Sequence, residues 1–264
     1  MKPIHVCFSR IQRAERSDMN RAMEDTGLSP AEVQALRYIT FHKAMSQREL
    51  AEDMGIDKGA TSRLVDVLEE KGDAIFAGAD SVVLEVDLDK PIVKKVVELA
   101  ARHRIPLYGL VSNMSIAAER RDLLQQFDCV ICNQQEAGIL FLDEYDDKSP
   151  EEMRDILADR IAAANIPSMV VTMGAEGAVY ANLAGEKGIC PARKVQVKDT
   201  TGAGDIFGGS AVWKLLQLGK KPEELNKAEL TDVVRFACTA AGLSTTQSGG
   251  ISSVPEYADV LKAM

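Results

Sequence analysis

The sequence predicts an α/β fold, a parallel sheet with helices on both faces, preceded by a small all-α segment. Three observations predict it. From about Asp80 onward, short apolar runs of strand length alternate with longer runs of helical period, the pattern of strands joined by helices. Residues 1–73 carry only helical periods and helix-start signals. The third is Lys198-Asp199-Thr200-Thr201-Gly202-Ala203-Gly204-Asp205-Ile206-Phe207-Gly208-Gly209. It lies between an alternating run, Lys194–Val197, and an apolar-periodic run carrying Phe207, Ala211, Leu215 and Leu216. Strand, glycine turn and helix start make an anion site. Small residues let the backbone come close, and the first N–H groups of a helix have no partner within it. Asp205 stands where a carboxylate can take a proton from an attacking hydroxyl.

The chain of 264 residues is 46% hydrophobic and 27% charged, with 31 basic and 40 acidic side chains and a net charge of −9. This suits a globular chain of one large or two small domains. No apolar run approaches the roughly 18 residues of a membrane span, and the charge after Met1–Cys7 argues against a signal peptide. Five cysteines are odd in number and too few for a disulfide framework, so a reducing cytoplasm is expected. Cys129 and Cys132 form a C-x-x-C inside a strand-like apolar run; three apart on a strand they face opposite ways, and both read as core cysteines. Neither 1–73 nor 74–264 is basic overall, so nucleic-acid binding would need a local patch.

Taken in order, a helix is expected from about Ile11 to Glu24. Ser29-Pro30-Ala31-Glu32 starts the next, with Ser29 as N-cap, and it runs over Ala31–Phe41. Ser46-Gln47-Arg48-Glu49 is a capping box opening a short helix to about Asp53. Gly55 turns the chain, Asp57 caps, and a helix runs from Gly59 to Glu70, ended by Lys71-Gly72. A short helix, a glycine turn and a second helix make a helix-turn-helix. Lys58, Thr61, Ser62 and Arg63 stand where such helices meet base edges and phosphates. A three-helix bundle with a solvated face is the alternative.

"LSPAEVQALRYI" and "MSQRELAEDMGIDKGATSRLVDVLEEKG" resemble the MarR family of winged helix-turn-helix regulators. The resemblance covers about residues 8–72 and implies duplex DNA binding through Lys58, Thr61, Ser62 and Arg63. The family's β-hairpin wing and C-terminal dimer helices do not follow Gly72.

The second part reads as strands at Ser81–Val86, Ile105–Leu110, Cys129–Cys132 and Met169–Thr172, with helices at Pro91–Arg102, Ile116–Gln126, Glu136–Leu142 and Pro150–Ala164. Ser149 caps the last of these. Ala178–Asn182, Gly188–Cys190 and Lys194–Val197 read as a meander, followed by helices at Ala203–Leu218 and Leu230–Ser244. There is no G-x-x-x-x-G-K-[ST], which excludes the P-loop. Gly202-x-Gly204-x-x-x-Gly208 is a poor dinucleotide fingerprint, because no strand ending in an acid follows its helix.

Asp199-Thr-Thr-Gly-Ala-Gly-Asp205 closely resembles the C-terminal signature of the ribokinase-like PfkB family of carbohydrate and nucleoside kinases. Asn133-Gln-Gln-Glu136 resembles its N-x-x-E, Thr172-Met-Gly174-Ala-Glu-Gly177 its T-x-G-x-x-G, and Ser248-Gly249-Gly250-Ile251-Ser252-Ser253-Val254-Pro255 its terminal glycine loop. The four stand in the family's order over about 80–262. The resemblance implies a ribokinase-like three-layer α/β/α fold, here partial, and ATP-dependent phosphorylation of a sugar or nucleoside hydroxyl. Asp205 is then the general base, and the N–H groups of Gly202, Ala203 and Gly204 stabilise charge on the transferred group. Glu136 and Asn133 hold Mg²⁺ through water. Thr172, Gly174 and Gly177 line the ATP, and Ala237, Ala241 and the loop around Gly249 flank adenine. Backbone near Asp199 and 248–253 holds a monovalent cation such as K⁺.

The family's usual beginning is a substrate-binding Asp, a Gly-Gly turn, an Asn-x-Ala helix and a β lid. Nothing in 1–73 resembles it. The domains are therefore expected as 1–73, a helix-turn-helix segment, and 74–264, a kinase domain starting mid-fold. Asn113 is a remaining residue that could face substrate. An open sheet edge gives reason to expect an oligomer. Whether the chain catalyses transfer stays open, as do two other readings: a DNA-binding regulator whose kinase-like half senses a ligand, and a joint of two truncated genes near Gly72–Ala79.

Overall fold

The structure, a computed structural model, describes residues 27–42, 46–85, 90–111 and 121–264. The expected helix near 11–24, Asn113 and the first part of the expected helix 116–126 lie outside the described residues. Two compact units, Met1–Gly78 and Ala79–Met264, divide the chain five residues beyond the boundary expected at 73.

The first unit contains α1 (Pro30–His42), α2 (Gln47–Met54) and α3 (Lys58–Ala77). Each begins where a polar side chain takes up a free helix N–H. Ser29 Oγ accepts from the Glu32 N–H at 3.4 Å while its own N–H donates to the Glu32 carboxylate at 2.7 Å. Ser46 and Glu49 form the same reciprocal box on α2, and Gly55 ends that helix in the left-handed region at φ 64°. Asp57 caps α3 by accepting from the Ala60 N–H at 2.8 Å.

Helix α3 does not stop at Lys71-Gly72; it runs on to Ala77 and is capped by Gly78. A mid-helix glycine costs about 1 kcal/mol relative to alanine, a modest penalty against the burial of Phe76 beyond it. Lys71 also anchors this stretch, donating to the buried Glu32 carboxylate at 2.8 Å and to the Gly27 carbonyl at 2.7 Å. Burial pushes the Glu32 carboxyl up, but the Lys71 ammonium and the Ser29 N–H outweigh it and hold it below its ordinary range.

The second unit is built on a six-stranded sheet in sequence order: β1 (Val82–Glu85), β2 (Leu107–Leu110), β3 (Cys129–Asn133), β4 (Ser168–Thr172), β5 (Ala178–Asn182) and β6 (Lys187–Cys190). Strands β1 to β4 are parallel; β5 and β6 are antiparallel to their neighbours. The parallel strands are linked through α4 (Lys90–His103), α5 (Arg121–Leu124), and the pair α6 (Gln134–Phe141) and α7 (Pro150–Ala164). Right-handed crossovers between strands in sequential order place their helices on one face, and α7 packs there on β4, β5 and β6. The other face is covered by α8 (Ala203–Leu218) and α9 (Lys227–Ser244), with α10 (Tyr257–Ala263) beyond them.

Alternation along the strands sorts the core. Leu110, Ile131, Val170 and Tyr180 stand in one row across β2 to β5 and pack with Phe207, Ala211, Leu215, Val234 and Ala237. Gly188 opposite Tyr180 has no room for a side chain, since an added Cβ would lie 2.2 Å from the Tyr180 hydroxyl. Cys129 and Cys132 are free, buried thiols, as their strand position predicts, and burial pushes Cys129 up to about 12. The expected third meander strand, Lys194–Val197, is not a strand. Pro191 ends β6 and leads the chain off the sheet edge, and Val197 is left exposed.

Candidate active site

The parallel strands end on one side of the sheet, where the sequence-predicted Asn133 and Thr172 stand. Asn133 and Thr172 are register partners at the ends of β3 and β4. Asn133 caps α6: its Oδ1 accepts from the Glu136 N–H at 2.8 Å, and its own N–H donates to Glu136 Oε2 at 2.7 Å. Thr172 Oγ1 lies 3.4 Å from the Cys132 carbonyl. Burial raises the Glu136 carboxyl above its ordinary range, opposed by the Asn133 N–H. Half-buried beside a helix start, this carboxylate suits a hydrated divalent cation, which would restore the charge that burial disfavours.

The glycine loop is built differently from a strand-and-turn. Residues 191–198 are irregular, and the Lys198 and Asp199 N–H groups both donate to the Thr245 carbonyl, at 2.7 and 3.2 Å. Asp199 then joins two loops. Its carboxylate accepts from the Thr201 N–H and from the Gly249 N–H, each at 2.9 Å. The Gly249 and Thr201 N–H groups hold it down at about 2. Gly202, at φ 77°, sits so close to the terminal loop that an added Cβ would lie 3.1 Å from Gly250 Cα. The left-handed backbone and this close approach together require glycine at 202.

Helix α8 starts immediately after Gly202. Its first internal bond is from the Ile206 N–H to the Gly202 carbonyl at 2.9 Å. The Ala203 N–H is already taken by the Thr200 carbonyl at 3.2 Å, so the expected trio of free donors is corrected. Among the described residues, Gly202 and Gly204 keep unpartnered N–H groups, and so does Asp205, whose own N–H the sequence reading missed. The Asp205 side chain is exposed, with no hydrogen bond or ion pair among the described residues. An added Cβ on Gly204 would meet nothing within 4 Å. Free donors, open space and a free carboxylate share one helix turn, which is what charge stabilisation and proton abstraction need.

Several expected site residues have other duties. Gly177, at φ 103°, could not carry a side chain because its Cβ would lie 2.0 Å from the Cys190 carbonyl; this tight packing already requires glycine. Gly174, at φ 56°, opens a 3₁₀ turn after β4 with free space around it. Ala237 is fully buried in the core and has no surface for adenine, whereas Ala241, one turn on, is only partly buried. In the first unit Thr61 is fully buried, its hydroxyl donating to the Asp57 carbonyl at 3.1 Å, so it cannot contact DNA. Lys58 and Arg63 are exposed and Ser62 is partly so.

A family model described as pfkB family carbohydrate kinase matches residues 39–257. The chain belongs to the pfkB family. The match begins inside the segment that resembles a regulator, and the comparisons lend that resemblance no support. The guanosine-inosine kinase of Exiguobacterium acetylicum is 32% identical over 188 residues, covering 70% of this chain and 57% of that protein. The ribokinase of Haemophilus influenzae is 26% identical over 205 residues, covering 77% of this chain and 62% of that one. The fold is that of the Arabidopsis thaliana ribokinase solved with ribose and ATP. The TM-score is 0.62 at 23% identity, over 73% of this chain and 58% of that chain. The chain thus spans about three fifths of the length of these pfkB relatives.

Proposed function

We propose that this chain carries the phosphoryl-transfer centre of an ATP-dependent kinase acting on a hydroxyl of a sugar or nucleoside. One observation carries the reading: the free N–H groups at the start of α8 and the unpaired Asp205 carboxylate share one turn, held against the terminal glycine loop by Asp199. The guanosine-inosine kinase and ribokinase relatives supply the substrate classes.

In this reading the Gly202 and Gly204 N–H groups receive charge developing on the transferred phosphoryl group. Asp205 takes the proton of the attacking hydroxyl, and the dipole of α8 assists both. Glu136 and Asn133 hold hydrated Mg²⁺, which screens the phosphate charge. Thr172, Gly174, Ala241 and Gly249 border the nucleotide, and backbone around Asp199 holds a monovalent cation such as K⁺. The test is product formation from Mg-ATP with a panel of ribose, fructose, inosine and guanosine. Saturable, magnesium-dependent phosphorylation of at least one acceptor supports the reading, and no product from any of them counts against it.

A further inference from the structure

At the opposite end of the sheet, where the parallel strands begin, lies a cavity of about 530 Å³ lined by Asp80, Pro106, Tyr108, Asp128, Leu215, Leu216 and the turn Gly219–Pro222. Asp80 precedes β1, Pro106 precedes β2 and Asp128 precedes β3. It is thus separate from Asn133, Thr172 and the α8 start, which lie at the strands' other end.

Two features of this cavity are unfilled. Tyr108 is 2% exposed, yet its hydroxyl has no hydrogen-bond partner among the described residues. Burial and the neighbouring Asp128 charge push the phenol up, so it stays a neutral hydroxyl able to donate and accept. A buried hydroxyl without a partner is uncommon and costly. The second feature is charge. The lining lysines already have carboxylates: Lys220 pairs with Glu229 at 2.5 Å, and Lys221 lies 3.9 Å from Glu223. Asp80 and Asp128 have no cationic partner among the described residues. Asp128 spends one oxygen, accepting from the Leu107 N–H at 2.8 Å. With Lys220 and Lys221 balanced by Glu229 and Glu223, the two aspartates leave the lining net negative, Asp80 on its exposed rim and Asp128 partly buried. Asp80 and Asp128 precede β1 and β3, strands whose backbones lie two spacings, about 10 Å, apart. Between them β2 contributes Pro106 and the Tyr108 ring, with Leu215, Leu216 and Pro222 across the cavity.

We infer that this cavity binds a linear aliphatic di- or polyamine, with its ammonium groups on Asp80 and Asp128, its methylenes over Pro106 and Leu216, and an N–H at the Tyr108 hydroxyl. Two carboxylates on strands that far apart, with apolar surface between them, favour two charges on a flexible apolar chain, and a neutral polyol leaves both without a counter-charge.

The experiment is calorimetric titration of the full chain with spermidine, putrescine and the monoamine butylamine at fixed ionic strength. The expected result is saturable one-to-one spermidine binding. Asp80→Asn should weaken it about tenfold or more, the loss of one charge-assisted hydrogen bond. Tyr108→Phe should weaken it less, Glu70→Gln on the first unit should leave it unchanged, and butylamine should bind at least about tenfold more weakly. Either of two results overturns the inference: no saturable binding, or equal weakening by Glu70→Gln and Asp80→Asn, which marks general attraction to an acidic protein. Circular dichroism and the melting temperature of each variant separate loss of binding from loss of fold.

Discussion

Asp199 accepts one hydrogen bond from its own loop and one from Gly249, fifty residues away. It touches no reacting atom in the proposed reaction but fixes where the Gly202 turn sits, so it is a positioning residue. Its carboxyl lies at about 2 in the folded chain against an ordinary 3.8. A depressed acid contributes its stability above the unfolded value and loses it as pH falls through the folded one. The Gly249 N–H should therefore stay protected from hydrogen exchange above about pH 4 and lose protection as pH drops toward about 2. Asp199→Ala should remove that protection at neutral pH and slow transfer about tenfold or more through misplacement of the loop. Protection that ignores both changes would show that the contact is not a constraint. At this scale Asp205 is named from the sequence because the proposed reaction needs an acid at that point of a glycine turn. The engaged N–H of Ala203 and the burial of Ala237 and Thr61 were not legible there, because turn geometry and packing decide them rather than residue type.

Elements were legible where the chain carries its own start signal. Ser149 and Pro150 fixed α7, whose observed span Pro150–Ala164 is the expected one. Helix α9 begins at Lys227, three residues before the expected Leu230, because Asn226 and Glu229 form a capping box. The capping signal, rather than the hydrophobic period, sets this helix start. Asn226→Ala should cost about 1 kcal/mol, read as a lowered denaturation midpoint. Two stretches were misread for a physical reason. Lys194–Val197 alternates like a strand but has no neighbour to pair with, and Gly72 looked like a stop although the helix beyond it buries Phe76. Gly177 joins elements, since its missing side chain admits the Cys190 carbonyl at the end of β6. Gly177→Ala should destabilise by about 2–3 kcal/mol from strained φ and overpacking combined. An unchanged melting temperature would assign this glycine to ligand binding alone.

The whole molecule is two units with cores of their own, one around Val33, Ala35 and Leu50, the other around the sheet. Separate cores predict separable unfolding. Leu50→Ala, in the first, and Leu157→Ala, in the second, should each cost about 2–5 kcal/mol and each lower a different thermal transition; one shared transition lowered by both would show a single cooperative body. The alternation of strands and helices made the α/β class legible, and four short motifs made the family legible before any contact was known. Two of them, at Asn133 and Thr172, meet because loops after parallel strands share a side, and the other two, 199–205 and 248–255, meet through the Asp199 bond to Gly249. The measurement that bears most directly on this arrangement is transfer of the labelled γ-phosphoryl group of ATP by wild type and Asp205→Asn, with the acceptor the wild type prefers. The Gly202 turn and its Asp199 tie should survive the substitution, so nucleotide binding is expected to persist while transfer falls by about 10²–10⁴-fold. Transfer by Asp205→Asn at the wild-type rate would contradict the assignment of the α8 start as the phosphoryl-transfer centre.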